Sequence, residues 1–187
     1  MTDEIVKLNL DGTSSGAVFG HDGKYRYSLF RRWREGPICN FIMLNPSTAD
    51  AEKNDPTVER CQRRADDCGY GKLIVTNLYA LRSTDPGVLG IDSDPIGPGN
   101  DAAIEQAALE ADLIVCAWGS ARAHRNRGEA VERLLHKLPV ELHALAVSQN
   151  ADEPEPLHPL YLPYSLKPRT LDALRAEMKI FLKDRAT

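Results

Sequence analysis

Three short apolar runs constrain this chain more than anything else in it. ICNFIML (38–44), KLIVT (72–76) and DLIVCA (112–117) are of strand length, with apolar residues on both alternating faces. A strand that is apolar on both sides must be covered on both sides, which is the habit of parallel sheets. Helical patterns separate the runs. Asp55 and Pro56 supply an N-cap and a first-turn proline, Val58, Cys61, Ala65 and Cys68 form an inner stripe, and Gly69 supplies a stop. Further helices are predicted over 100–110, 127–137 and 169–183, and a fourth strand over 141–147. Strands alternating with helices imply an α/β chain, a three-layer α/β/α arrangement with a central, mainly parallel sheet. Ahead of it, AVFG, the turn HDGK and YRYSLFRRW read as an N-terminal β-hairpin at one edge, with Tyr25, Tyr27 and Leu29 alternating against Arg26 and Ser28. The 187 residues carry no internal repeat and no linker, so one domain over 1–187 is expected.

The runs share a second feature: each stops at small polar residues. Asn45-Pro46-Ser47 follows the first, Asn77 the second and Gly119-Ser120 the third, while the fourth strand leads towards His158-Pro159. Parallel strands bring these ends to one edge of the sheet, where open α/β sheets bind ligands. A cleft lined by Asn45, Asp50, Asn77, Ser120 and His158 is therefore expected. Plainer readings stand beside it. Asn45, Pro46 and Ser47 are turn formers, and Asp55 suits an N-cap. Asn77 can satisfy backbone at a strand end, and His158 can be a structural loop residue.

Charge adds a partner class. The net charge is −4, but 21–34 holds five Lys or Arg against one Asp, Arg60, Arg63 and Arg64 share one helix, and Arg122, Arg125 and Arg127 share one loop. A basic face on an acidic chain can still meet phosphates. The four cysteines form no C-x-x-C pair and read as buried thiols of a reducing compartment. No metal site, cofactor or iron–sulfur cluster is expected from them. No run approaches the ~20 apolar residues of a membrane span, and MTDEIVKLNLDG is too acidic for a signal peptide. A cytoplasmic protein without membrane partners is expected.

The block MLNPSTAD, DPT, GYGKLIVTNLYALRSTDP, WGS and HPLYLP resembles an uncharacterised bacterial and phage family, domain-of-unknown-function family 1643. That family in turn resembles the uracil-DNA glycosylase superfamily in the order of its landmarks over roughly 38–163. The resemblance implies that the loop at Asn45-Pro46 places an attacking water and that Asn77 reads a base. It also matches Trp118-Gly119 and His158-Pro159 to the superfamily's later loops. Met43-Leu44 stand where the superfamily usually has a glycine, and HPLYLP replaces the usual H-P-S-P-x-S.

Breaking an N-glycosidic bond puts positive charge on the sugar and negative charge on the departing base, so a catalyst needs a placed water and donors for the base. The resemblance makes Asn45 and His158 catalytic candidates, and Asp50 or Asp55 would supply the general base if either turns inward. Asn77, Tyr79 and Pro46 are candidates for base binding, with Trp33 an alternative stacking ring. Ser47, Ser120, Arg64, Arg122 and Arg125 are candidates for phosphate, and both arginine groups are expected to rim the cleft. The expected substrate class is DNA carrying uracil or a modified base. Hydrolysis of free nucleotides or nucleosides is the rival, as is a non-catalytic sensor, because an amide at Asn45 is a poor general base.

Overall fold

β4 (Ile38–Met43) is the hub of the fold, and its alternation shows why. Cys39, Phe41 and Met43 point into one hydrophobic cluster and Ile42 into a second, so both faces of the strand are covered. The computed structural model describes residues 2–20, 22–121, 124–149 and 153–185. In chain order these form β1 (Thr2–Leu8), β2 (Ser14–Gly20), β3 (Arg26–Arg32), β4, α1 (Pro56–Asp67), β5 (Lys72–Asn77), α2 (Asn100–Glu110), β6 (Leu113–Cys116), α3 (Arg125–Leu135), β7 (Leu142–Ala144), β8 (Arg169–Thr170) and α4 (Leu171–Asp184). Among the described residues the strands make one eight-stranded sheet, ordered β1-β2-β3-β5-β4-β6-β7-β8.

The expectation of a mainly parallel sheet needs correction. The central strands β5, β4, β6 and β7 are parallel, but the four pairings outside them are antiparallel, against three parallel ones. The fold is a mixed α/β arrangement with four α-helices among the described residues. Two additions tip the balance. β1 extends the expected hairpin β2–β3 to a three-stranded meander, and β8 occupies the two residues expected to begin the last helix. The fourth strand is also shorter than predicted, since its chain leaves the sheet after Ala144.

The helices divide between the faces. α1 buries Val58, Cys61 and Ala65 against the cluster containing Phe41, while α2, α3 and α4 bury Ile104, Val131, Leu135 and Leu171 against the one containing Ile42. α1 starts as its sequence dictates: Asp55 caps it, accepting from Thr57 N at 2.9 Å and Val58 N at 2.8 Å. Gly69, at φ 90°, turns the chain beyond it into β5, a backbone shape that costs glycine little. No helix among the described residues is long and apolar enough to cross a membrane.

Two features of this topology build the site. Met43 pairs in parallel with Asn77, and the next amides, Leu78 N and Tyr79 N, donate to Met43 O and Leu44 O. The two polar stops therefore lie side by side. β3 runs antiparallel to β5, so its first residue, Arg26, reaches the edge where β5 ends.

Candidate functional site

At that edge a cavity of about 290 Å³ is lined by Asn45, Ser47, Asp55, Asn77, Trp118 and His158, with Arg26 in its wall. A larger, more open groove of about 640 Å³ lies between the meander and residues 50–53. The smaller cavity is the candidate site, because it gathers side chains from the carboxyl ends of parallel strands.

Each lining residue is oriented by bonds that the local chain supplies. Asn45 Nδ2 donates to Ser83 O at 2.8 Å and to Pro46 O at 3.1 Å. Both amide hydrogens are thereby engaged, and Oδ1 is what Asn45 has left to offer. Asn77 is wired the other way. Its Oδ1 accepts from Arg26 Nη2 at 3.3 Å, while its backbone carbonyl accepts from Asn100 Nδ2 at 2.9 Å. A guanidinium only donates, so the amide oxygen must face Arg26 and Nδ2 must face away. Asn77 is 1% exposed.

His158 caps a short 3-10 helix, Pro159–Tyr161, with Nδ1 accepting from Leu160 N at 3.3 Å. An acceptor at Nδ1 puts the hydrogen of the neutral ring on Nε2. Burial lowers the imidazole pKa from its usual 6.5, with Asp55 pulling the other way, so the neutral form prevails at pH 7. Asp55 uses one oxygen to cap α1 and also lines the cavity, so cap and site carboxylate are one residue. At the mouth stands Tyr161, 84% exposed, its ring centroid 6.2 Å from that of His158.

The remaining candidates lie elsewhere. Asp50 faces the larger groove, and its Oδ1 closes its own turn through Glu52 N and Lys53 N. Tyr79 turns into the opposite cluster, with its hydroxyl 3.3 Å from His124 Nδ1. Trp33 donates to Asp66. Pro46 contributes only a carbonyl, accepting from Ser83 N, and neither it nor Ser120 lines the cavity. Arg122 lies outside the described residues.

The arginine rim also needs correction, because the backbone consumes those cations. Arg64 is 4% exposed and donates to Leu162 O, Pro163 O and Leu166 O, and Arg60 donates to Pro159 O and Leu162 O. Tyr164 lies against both guanidinium groups. These arginines fix the loop that carries His158. Arg63 pairs with Glu59, Arg125 with Glu155, and Arg127 with Asp101 and Leu78 O.

Sequence reasoning missed Arg26. Its alternation with Tyr25 and Tyr27 set it on the face opposite Leu29, yet a register shift between Val18 and Phe19 brings Arg26 to the Leu29 face, over which residues 49–54 fold. Arg26 donates to Ala49 O, and Arg31 donates to Asp50 O, Ala51 O and Lys53 O. The signal was the strand itself: a hairpin strand set antiparallel beside β5 has to place its first residue at the ligand-binding edge. Burial lowers the Arg26 pKa to about 10, partly offset by Asp55, and leaves it a cation at neutral pH.

No curated protein and no solved structure matches the chain. One family model, described as Protein of unknown function (DUF1643), matches residues 26–160, a span that takes in Arg26, Asn45, Asp55, Asn77 and His158. That match covers well over half of the chain, which belongs to the DUF1643 family.

Proposed function

We propose that the protein recognises a nucleobase in this cavity and hydrolyses its N-glycosidic bond, with DNA carrying uracil or a modified base as substrate. One observation carries the reading: Asn45, Asp55, Asn77 and His158 line one cavity, each with a different polar group available. Asn45 Oδ1 holds the water, and the Asp55 carboxylate takes its proton as the water oxygen bonds to the sugar carbon. The carbon–nitrogen bond breaks, and its electron pair leaves on the base. Asn77 Nδ2 and the Nε2–H of neutral His158 donate to the base oxygens where that charge gathers. Asp55 takes the role of base over Asp50, which faces another groove. The parallel central strands, with helices on both faces, support reading the fold as uracil-DNA-glycosylase-like.

A second reading is favoured by the fate of the arginines. With Arg60, Arg64 and Arg127 spent on carbonyls and carboxylates, the described arginines leave few free cations near the cavity, and duplex affinity depends on cations. A free nucleoside or nucleotide meets that surface with less demand for them. Incubating the protein with single- and double-stranded oligonucleotides carrying uracil or modified bases, and with the free nucleosides and nucleotides, decides between them by chromatography of the released base. Release from oligonucleotides is the expected result. Release only from monomers selects the second reading, and binding without release leaves a sensor.

A further inference from the structure

We propose that Arg26 makes this cavity a receptor for acidic keto nucleobases, holding the ring as its anion between the Arg26 guanidinium and the Asn77 amide nitrogen. The inference rests on reading the cavity as a base pocket. It adds which bases enter and which residue selects them.

Arg26 is 2% exposed and lines the cavity, yet its bonds go to neutral oxygens: Ala49 O at 2.8 Å and Asn77 Oδ1 at 3.3 Å. Its Nε has no hydrogen-bond partner among the described residues. A guanidinium has five N–H donors, and a buried cation is costly to keep without an opposing charge in contact. Asp55 supplies the strongest opposing field, but its Oδ1 is drawn off by the two amides at the start of α1. An anion entering the cavity would recover the cost.

The same guanidinium locks the reading edge. Because Arg26 can only donate, it holds Asn77 Oδ1 and commits Nδ2 to the ligand side. A donor next to a cation suits a ring carbonyl whose neighbouring ring nitrogen has lost its proton. An exocyclic amino group would meet a donor with a donor, leaving both unpaired. In bond cleavage the electron pair departs onto the ring, so the group that binds the free anion also stabilises the leaving group.

The experiment is calorimetric titration of the full chain with uracil, 5-fluorouracil and 5-nitrouracil, a series of rising N–H acidity, and with cytosine as the amino control. It is run across pH on the wild type, Arg26→Lys and Arg26→Gln. We expect affinity to follow acidity, with 5-nitrouracil about tenfold or more tighter than uracil at neutral pH, equivalent to one unit of pKa preference. For each ring the affinity should climb with pH up to that ring's own pKa and then level. Arg26→Lys should keep the ranking and Arg26→Gln should flatten it. If Arg26→Gln does not fold, as judged by circular dichroism, the wild-type ranking and pH dependence still decide. Equal affinity across the series, or cytosine bound as tightly as uracil, overturns the role of Arg26 while leaving a base pocket. Failure of every base to bind overturns the pocket reading and this inference with it.

Discussion

Asn45 and Asn77 end neighbouring parallel strands, line one cavity and are wired in opposite senses. The chain around Ser83 and Pro46 takes both amide hydrogens of Asn45, which becomes an acceptor. Arg26 takes the amide oxygen of Asn77, which becomes a donor. An asparagine in a site has no fixed polarity. The half left over by its neighbours decides what it can read, and here the same residue type gives one wall that accepts and another that donates.

The largest effect is expected from removing the imidazole that shares the cavity with both walls. His158→Ala should slow base release by about 10²–10⁴-fold while binding changes little, the cost typical of a lost donor or acid. Parallel kinetics and titration separate the two terms, and a pure binding defect would contradict the role given to His158. Next, Asn77→Asp turns the donor wall into an acceptor that pairs with Arg26. Uracil binding should fall about 10–100-fold, in line with ~1–3 kcal/mol for an unmatched buried group. Thermal stability should hold or rise, since the new carboxylate meets a cation.

Asn45→Asp is the mirror of that change and should behave differently. It replaces two donors by a carboxylate facing Pro46 O and Ser83 O, so stability should drop by about 1–3 kcal/mol in urea unfolding. If Asn45→Asp is stable and Asn77→Asp is not, the two wirings have been assigned in reverse. The smallest effect is in pH. His158 has a folded pKa below its unfolded 6.5, so the unfolded chain binds more protons as pH falls through that window. Stability should be full above 6.5 and decline below it, towards the lowered folded pKa. His124 is shifted the same way by burial, so His158→Gln should reduce the slope without abolishing it.

Much of the fold was legible because two-sided apolar strands and capped helices are local signals. Phe41 and Ile42 announce a strand covered on both faces, and Asp55-Pro56 announces the start of α1. β1 was not legible, since its residues are exposed along its whole length and show no buried face. Asn45, Asn77 and His158 were found because strand-end position is written in sequence order. What their atoms do was not, because Arg26 and Ser83, from distant segments, set both amides. Arg64 failed for a related reason: from sequence it reads as a free cation, and only the return of residues 162–166 shows that backbone carbonyls claim it.

The most direct measurement is a side-chain amide and imidazole NMR titration of ¹⁵N-labelled protein with uracil. The Asn77 Nδ2 hydrogens and the His158 ring should shift together with one saturation curve, while the Asn45 amide hydrogens, already held by Pro46 O and Ser83 O, should move little. Shifts confined to the groove around Asp50 and Arg82, or no saturable shift at all, would contradict a shared base-binding cavity at the ends of β4 and β5.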